Sequence, residues 1–256
     1  MSQPYQSLEA SLHDVFWAEE DDASELLLME EFLKEFPGRA LEVGCGSGRL
    51  LFPLLARGHD VEGLELSEDM LRLAETRAAL LGHGAMIHHG AMETWKPQAP
   101  YHAVMVPAFT LQLASAPGST LKNLMSMLEV RGGLYLTVFT PLAELDGELP
   151  ENEWYEDHYG TLPDGRRALL ETRHTIDPDA RLLHREHRYS VIGQKRLVEE
   201  TRQTIRWFAP GELETMLTIL GFEILHIWHD FHLAEDAMPD QDDTLGIRTI
   251  SAVLRV

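Results

Sequence analysis

Three glycines at alternating positions follow a short apolar run near the start of the chain. They are Gly44, Gly46 and Gly48, in the segment ALEVGCGSGRL of residues 40–50. Because glycine has no Cβ, the backbone there can bend sharply and approach a ligand closely, and the amides that open the following helix point toward it. The pattern therefore predicts a buried strand, a tight turn and a helix that together bind a nucleotide-like ligand.

Two carboxylates accompany this turn. Glu42 lies two residues before the first glycine, and Glu65 ends a second short apolar run in HDVEGLELSEDML, residues 59–71. Ser67 is expected to begin a helix, since its hydroxyl can cap the first turn and two acids follow it. An ionised carboxylate only accepts hydrogen bonds and can take two donors at once, so Glu65 is suited to bind a ligand that offers two hydrogen-bond donors.

The order ExGxGxG in residues 42–48 resembles motif I of the class I S-adenosylmethionine-dependent methyltransferases. A dinucleotide-binding fingerprint differs, because its third glycine stands one residue later. The resemblance covers residues 20–140 closely and the C-terminal part loosely. It implies S-adenosylmethionine as the cofactor, with Glu65 accepting hydrogen bonds from the ribose hydroxyls. The further segments that match the family are residues 59–71, residues 87–95 followed by 101–110, and residues 128–140.

Members of the family often place an acid against the adenine amino group at the end of the third strand. The aligned residues here are Gly90, Ala91 and Met92, so alanine stands where that acid would be. Adenine would then be held by the backbone amide near Met92, by Glu93, or by stacking on apolar side chains. The resemblance implies a cofactor site formed by Glu42, Gly44, Cys45, Gly46, Gly48, Glu65, Leu66, Met70, Ala91, Met92 and Val106.

Methyl transfer from a sulfonium needs few side chains, because the methyl group is already activated and the protein must chiefly align a nucleophile and exclude water. A base is needed only for a nucleophile that arrives protonated. Tyr155 and His158 are the candidates for that base, with His13 as a third, and substrate packing or loop polarity are the alternative explanations. The candidate substrate contacts are Trp17, Tyr155 and Phe109, of which Phe109 could equally be a core aromatic.

The elements around these residues predict an α/β fold. We expect a Rossmann-like seven-stranded sheet, mostly parallel with its last strand antiparallel, formed by residues 1–140 and 209–256. A helix over residues 119–128 is expected to end at a turn of Gly132 and Gly133 before the fifth strand. These elements constitute a cofactor-binding core.

Residues 141–208 are expected to be inserted into that core after the fifth strand. We expect a loop over residues 141–158 and then three β-like runs, separated by turns at residues 177–179 and at Gly193 and Gln194. This arrangement predicts an antiparallel β-sheet cap at the position where the family has substrate-covering caps.

The chain is acidic, with 42 Asp and Glu against 21 Lys and Arg and a formal net charge of −21. Nucleic-acid binders gain affinity by neutralising phosphates with basic side chains, so no nucleic acid is expected as a partner. Basic residues concentrate between Arg166 and Arg206, which predicts a solvated sheet face or, alternatively, a patch that attracts an acidic small molecule. No run approaches the ~18 apolar residues of a membrane helix, so no membrane partner is expected either.

The single cysteine, Cys45, excludes an internal disulfide and favours a reducing compartment. The N-terminus lacks a signal-peptide pattern, so a cytoplasmic location is expected. Cys45 is interpreted as a small residue that fits the turn, with no role as a nucleophile. No metal site is expected, because His226, His229 and His232 alternate across a predicted strand and cannot meet at one ion. The oligomeric state is left open.

These observations favour an S-adenosylmethionine-dependent methyltransferase that acts on a nitrogen or oxygen of a small molecule. Residues 206–224, RWFAPGELETMLTILGFEI, also resemble, more loosely, capped members that methylate amino sugars and other metabolites. The alternative from a different class is a non-catalytic protein that binds the same cofactor for regulation or assembly. A protein or RNA methyltransferase is disfavoured by the charge and by the lack of an Asn-Pro-Pro-Tyr type motif after the fourth strand. An NAD-dependent dehydrogenase is disfavoured by the glycine spacing.

Overall fold

The structure, a computed structural model, describes residues 5–17, 22–82, 84–192, 197–233 and 246–255. Its strands are β1 Ala40–Val43, β2 Val61–Glu65, β3 Ile87–His89, β4 Tyr101–Val106, β5 Leu128–Val138, β6 Tyr155–Thr161, β7 Arg167–Asp177, β8 Leu182–Ile192, β9 Leu197–Arg206, β10 Phe222–His229 and β11 Arg248–Leu254. Its helices are α1 Ser7–Phe16, α2 Asp22–Glu35, α3 Leu51–Ala56, α4 Glu68–Leu81, α5 Pro117–Met125, α6 Leu142–Leu145 and α7 Glu212–Ile219, with a short 3-10 helix at Thr110–Leu113. No helix in these ranges is long and apolar enough to cross a lipid bilayer.

The larger sheet has the strand order β10-β11-β5-β4-β1-β2-β3. Strands β1 to β5 pair in parallel, whereas β11 is antiparallel to both β5 and β10. The chain order reverses between β1 and β4, and in open α/β sheets such a reversal leaves a ligand-binding crevice at the carboxyl ends of the strands. The predicted Rossmann-like seven-stranded sheet with an antiparallel last strand is confirmed.

Apolar side chains cover both faces of this sheet. Leu121 of α5 and Leu213 of α7 belong to the cluster on one face, and Phe32 of α2 and Leu51 of α3 belong to the cluster on the other. All four residues of β1 are buried, as expected for a parallel strand with helices on both sides. This packing fixes the ends of β1, β2 and β4, where the chemistry-bearing residues follow.

Strands β6 to β9 form a separate antiparallel sheet in chain order, which we call the cap. The three predicted β-like runs are β7, β8 and β9. The expected loop over residues 141–158 is wrong at both ends, because Leu142–Leu145 is helical and β6 begins at Tyr155. The β6 sequence YEDHYGT is mostly polar, so this strand depends on its pairing with β7 and has no apolar pattern of its own.

Two expectations about this region remain open. The predicted turn at Gly193 and Gln194 lies outside the described residues. The division of the chain into a core and an inserted unit at residues 141 and 208 stays a prediction.

In place of the expected turn at Gly132 and Gly133, β5 has an irregularity: its pairing with β4 shifts between Leu128 and Gly133, and Arg131 between them has a φ of +68°. Strand β5 passes through both glycines and pairs Gly133 with Ala103 of β4 and Val253 of β11. A Cβ at Gly133 would lie 2.5 Å from the ring of Phe36, so glycine here makes room for an aromatic ring against the strand. The helix expected over residues 119–128 also differs, since α5 ends at Met125.

Candidate active site

The glycine turn after β1 has the left-handed backbone that only glycine adopts easily. The φ angles of Gly44, Gly46 and Gly48 are +74°, +54° and +83°. A Cβ at Gly44 would lie 2.5 Å from the Cγ2 atom of Thr110, and one at Gly48 would lie 2.4 Å from the Phe52 ring. Gly44 therefore lets the turn approach the segment after β4, whereas Gly48 accommodates Phe52 inside the fold.

The carboxylate of Glu65 lies against this turn. Its Oε2 atom accepts a hydrogen bond from the Gly46 amide at 2.9 Å, and its Oε1 atom accepts from the amides of Leu66 at 2.8 Å and Ser67 at 2.7 Å. Ser67 in turn caps α4, because its hydroxyl accepts from the Met70 amide at 3.2 Å. Glu65 thereby joins the end of β2 to the glycine turn and is held in one orientation.

A cavity of ≈ 240 Å³ opens at the carboxyl ends of β1, β2 and β4. Several predicted site residues line it: Glu42, Gly44, Cys45, Gly46, Glu65, Leu66, Met70 and Met92. Three others do not: Gly48 packs on Phe52, Val106 is fully buried in the core, and the Ala91 carbonyl accepts hydrogen bonds from the Thr94 and Trp95 amides in a turn. The remaining lining residues are Tyr5, His13, Val43, Ser47, Arg49, Leu50, Leu64, Ser67, Gly90, Glu93, Pro107, Ala108, Thr110 and Leu113.

Helix α1 lies over the cavity and is attached to it by polar contacts. The carboxylate of Asp14 accepts hydrogen bonds from the Ser47 hydroxyl, at 2.8 Å and 2.9 Å, and from Arg77 at 2.6 Å. Arg49 donates to the Trp17 carbonyl at 2.7 Å, and the Ser67 hydroxyl donates to the Tyr5 carbonyl at 2.5 Å. Tyr5 and His13 contribute to the cavity wall for this reason. The sequence analysis named His13 as a candidate base and did not include Tyr5 in the site.

The turn after β4 forms another wall. Ala108 and Phe109 both have positive φ, 49° and 62°, which non-glycine residues rarely adopt. The Ala108 amide donates to the buried carboxylate of Glu25 at 3.3 Å, and that carboxylate also accepts from the Thr137 hydroxyl at 2.6 Å. This anchoring holds an unfavourable backbone conformation next to the cavity, as is common at functional sites.

Solved structures share this architecture over nearly the whole chain. An S-adenosylmethionine-dependent methyltransferase from Clostridium acetobutylicum has a TM-score of 0.76 at 13% identity, with 96% of each chain covered. The sugar N-methyltransferase KedS8 from Streptoalloteichus has a TM-score of 0.74 at 18% identity, covering 100% of this chain and 96% of its own. The amino pentose methyltransferase CalS10 from Micromonospora echinaspora, solved with S-adenosylmethionine bound, has a TM-score of 0.68 at 18% identity, with 99% of each chain covered. At these identities the likeness concerns the fold.

The sequence comparison identifies the part of the chain that carries the cavity. Residues 40–132 match the family model described as a methyltransferase domain. The chain therefore contains a methyltransferase domain, and it shares its fold with S-adenosylmethionine-dependent methyltransferases. No curated protein matches its sequence.

The cavity suits S-adenosylmethionine. The backbone is bare at Gly44 and Gly46, and a Cβ at Gly46 would come within 3.1 Å of Met70 Cε and narrow the space. Glu65 would hold the ribose, and Met92 and Glu93 line the side where adenine would lie. These residue roles remain proposals, since they follow from shape and chemistry.

Cys45 is a buried residue of the methyltransferase turn. Burial raises the pKa of its thiol well above the usual value, and the nearby carboxylates of Glu42 and Glu65 raise it further. A neutral, buried thiol is a poor nucleophile, which agrees with its interpretation as a small residue that fits the turn. In the described ranges, no group of three or more His, Cys, Asp or Glu side chains could hold a metal ion.

The other candidate residues lie in the cap or next to it. The Trp17 ring lies 6.5 Å from that of His13, which lines the cavity, and 4.6 Å from that of His158 in β6. Tyr155, also in β6, lies 6.1 Å from the ring of His174, and burial together with the charge of Asp157 raises its pKa to about 12. Neither Tyr155 nor His158 lines the cavity.

Phe109 packs against Phe139 with ring centroids 4.8 Å apart, in a cluster that joins the core to the cap. Its position therefore agrees with the core alternative, and its role as a substrate contact stays a prediction.

Proposed function

We propose that this methyltransferase transfers a methyl group to a nitrogen or oxygen of a small molecule held between the cavity and the inner face of the cap. The observation that carries the proposal is a polar stripe on that face, defined by the side chains of Thr172, His174, Arg185, His187, Thr201 and Gln203. They are alternate residues of β7, β8 and β9, and they lie side by side through the register of these strands.

The stripe lies between two apolar clusters. On one side Leu12 and Phe16 of α1 pack with Leu170 and Tyr189 of the cap. On the other side Phe139 of the core packs with cap side chains, among them Leu183, Ile205 and Trp207. Polar groups placed between two apolar seals cost free energy unless they are hydrogen-bonded. Thr172, Arg185 and Gln203 have protein partners, and a polar ligand between the cap and the core would satisfy the groups of the stripe that have none.

His174 is the residue of the stripe that most directly argues for a ligand. His174 is 1% exposed, and neither of its ring nitrogens has a hydrogen-bond partner among the described residues. Burial lowers the pKa of His174, so its ring is neutral at pH 7 and offers one donor and one acceptor. Such a pair suits the hydroxyl or amine of a small acceptor.

The charges around the stripe favour a neutral or cationic acceptor. The guanidinium of Arg185 is 2.5 Å from the carboxylate of Glu144, so its charge is compensated. Asp157 adds a further carboxylate close to the stripe, since it accepts from Thr172 at 2.6 Å. An amine or a hydroxyl compound fits this balance better than an acid, and the relatedness in fold to a sugar N-methyltransferase and an amino pentose methyltransferase supports the same choice.

S-adenosylmethionine supplies, when bound, a methyl group activated by the adjacent sulfonium. The chain then has to orient the acceptor and exclude water, which α1 and the cap do by covering the carboxyl edge of the sheet. His13 lies at the cavity wall and is the candidate base nearest to it, with its Nδ1 atom 3.1 Å from an oxygen of Asp14. Tyr155 and His158 remain candidates in the cap.

Turnover in the presence of candidate acceptors tests the proposed function. The purified chain is incubated with S-adenosylmethionine and with amino sugars, aryl amines, phenols or carboxylates, and S-adenosylhomocysteine is measured. We expect formation with at least one amine or hydroxyl compound. Binding of S-adenosylhomocysteine by calorimetry without turnover on any acceptor would favour the non-catalytic alternative, and tight NADH binding without S-adenosylhomocysteine binding would exclude the methyltransferase site.

A further inference from the structure

Three side chains of the cap form a continuous chain of hydrogen bonds. The hydroxyl of Thr172 is 2.6 Å from Oδ2 of Asp157 and 3.0 Å from Nδ1 of His187. Thr172 is fully buried and His187 is 6% exposed. The chain of hydrogen bonds therefore runs from β6 through β7 to β8, with Thr172 and His187 shielded from bulk water and Asp157 exposed at its β6 end.

The chemistry of the three groups fixes the direction of these bonds. An ionised carboxylate has no proton to donate, so the single hydroxyl proton of Thr172 goes to Asp157. The Thr172 oxygen must then accept from His187, and the proton of the neutral imidazole is placed on Nδ1. The other ring nitrogen, Nε2, is left with its lone pair.

The electrostatic surroundings keep both end groups in the required states. The pKa of Asp157 is lowered, because the hydrogen bonds from His158 and Thr172 and the charge of Arg185 outweigh the opposing effect of burial. Burial lowers the pKa of His187 to about 4, and the charges of Arg185 and His158 act in the same direction, against that of Asp157. At pH 7 the carboxylate is ionised and the His187 imidazole is neutral.

The free nitrogen belongs to the polar stripe. No described residue provides a hydrogen-bond partner for Nε2 of His187, whose strand neighbours in the register are Thr172 and Thr201. Only a small part of His187 is exposed, and a ligand that carries an N–H or O–H group can donate a hydrogen bond to this lone pair. A ligand carbonyl or ether oxygen at the same place would be repelled, because its lone pairs would face the lone pair of Nε2.

We infer that His187 is a specificity residue for the methyl acceptor, with Nε2 accepting a hydrogen bond from an amine or hydroxyl of that molecule. Asp157 and Thr172 are positioning residues that act through His187 by fixing its tautomer. This inference rests on the proposed function, because it assigns the acceptor to the inner face of the cap. It adds a selection rule: acceptors with a hydrogen-bond donor at this point are preferred over analogues in which that donor is replaced by an ether or a carbonyl.

The tautomer can be measured without any acceptor. Imidazole nitrogens are observed by 15N NMR on the labelled full-length chain bound to S-adenosylhomocysteine, and the His187 signals are assigned by their loss in His187→Asn, since the chain has 13 histidines. We expect a protonated Nδ1 and an unprotonated Nε2 at pH 7. We expect Thr172→Val to mix the tautomers and Thr172→Ser, which keeps the hydroxyl, to preserve the wild-type pattern. A protonated Nε2 or an imidazolium at pH 7 in the wild type would overturn the inference.

Kinetics with glucosamine as the probe acceptor test the contact itself. His187→Asn keeps an amide near the Nδ1 position and loses Nε2, so kcat/KM should fall about 10- to 100-fold, as for one lost hydrogen bond to a buried group. His187→Gln places an amide oxygen near the Nε2 position and should recover part of this loss. The kcat/KM of Thr172→Val should also fall. That of Thr172→Ser should stay within about 3-fold of wild type, because only the serine variant keeps the hydroxyl.

The dissociation constant for S-adenosylhomocysteine, measured in every variant, serves as the control and should not change. If His187→Asn and Thr172→Val methylate glucosamine at the wild-type kcat/KM, the inference is wrong. If the wild type does not methylate glucosamine, the proposed function fails for that acceptor, while the NMR result still decides the state of His187.

Discussion

Asp14 and Ser47 connect the helix that covers the cavity to the glycine turn that forms its floor. The Ser47 hydroxyl lies 2.8 Å from Oδ1 and 2.9 Å from Oδ2 of Asp14, and Arg77 of α4 donates to the same carboxylate. Helix α1 also contacts the cap, where Tyr189 and Gln203 donate to the buried carboxylate of Glu9 at 3.2 Å and 3.3 Å. The two sheets are thus joined through one short helix that touches the cofactor turn.

We expect Asp14→Asn to loosen this helix and to weaken cofactor binding. The amide keeps the shape and loses the charge that Arg77 and Ser47 share, which corresponds to about 1 kcal/mol or a several-fold rise in the dissociation constant of S-adenosylhomocysteine. Calorimetry measures the affinity, and hydrogen exchange measures the protection of the α1 amides. Asp164→Asn, in an exposed turn paired with Arg166, is the matched control. Unchanged affinity together with unchanged α1 protection would show that the contact has no functional weight.

The same carboxylate predicts a pH dependence of stability. Burial raises the pKa of Asp14, but the hydrogen bonds from His13 and Ser47 and the charge of Arg77 outweigh it and lower the value to about 2. Because the folded-state pKa lies below the unfolded value of about 3.9, the contribution of Asp14 is complete above that value and is lost as the pH falls toward 2. Urea unfolding of the wild type and of Asp14→Asn should therefore differ most at pH 5 to 7 and converge near pH 2. A difference that stays constant down to that pH contradicts the assignment.

Glu65→Ala should weaken cofactor affinity by about 1 to 3 kcal/mol, through loss of charge-assisted hydrogen bonds to the ribose. Glu65 also accepts three backbone amides, at Gly46, Leu66 and Ser67, so a lower melting temperature should accompany the weaker binding. Titration with S-adenosylhomocysteine measures the affinity. Glu68 is an exposed acid at the start of α4, and Glu68→Gln, the control, should leave both the affinity and the melting temperature unchanged. An unaltered dissociation constant in Glu65→Ala would remove this carboxylate from the cofactor site.

Gly44→Ala and Gly58→Ala form a matched pair. Both glycines have positive φ, +74° and +88°, so each alanine pays a similar backbone cost of about 1 kcal/mol. A Cβ at Gly44 would lie 2.5 Å from Thr110, whereas one at Gly58 meets no atom within 4 Å. We therefore expect a much larger loss of stability and of cofactor binding in Gly44→Ala, partly restored by Thr110→Ala. Equal melting temperatures in the two single variants would contradict the close approach.

Glu62 lies in a polar network at the end of the sheet opposite the cavity. It accepts from Arg39 Nε at 2.6 Å and from Tyr101 at 2.8 Å, and His88 Nε2 is 2.7 Å away. These hydrogen bonds outweigh burial and lower its pKa to about 2. Glu62→Gln should reduce the free energy of unfolding by about 1 to 3 kcal/mol at pH 7, because a partly buried Arg39 loses its charge partner. Glu31→Gln, whose pair with Lys34 is exposed, should change it by less than about 0.5 kcal/mol. Cofactor affinity should be the same in both variants.

The fold was accessible from the sequence where local pattern and tertiary environment agree. The apolar runs of β1, β2 and β4, the glycines at alternating positions and the serine cap of α4 each have a short-range signature. Those runs alone also fix the end of β2, and with it the position of Glu65. Two interpretations of local pattern needed tertiary information: Gly133 pairs in β5 and leaves space for Phe36, and β6 is a strand because β7 offers it backbone partners.

The same distinction between local pattern and tertiary environment applies to the site. The sequence by itself determined the cofactor turn and its carboxylate, because residues 42 to 65 are close in the chain and their spacing is a property of the strand, turn and helix units. Only the tertiary structure decided which distant side chains meet them: Tyr5 and His13 through the docking of α1, and Ala108 and Thr110 through the turn after β4. It also decided that Asp157, Thr172 and His187 meet one another in the cap, through the strand register. Such contacts join residues separated by long stretches of chain, and their geometry depends on packing and register, which no local pattern encodes.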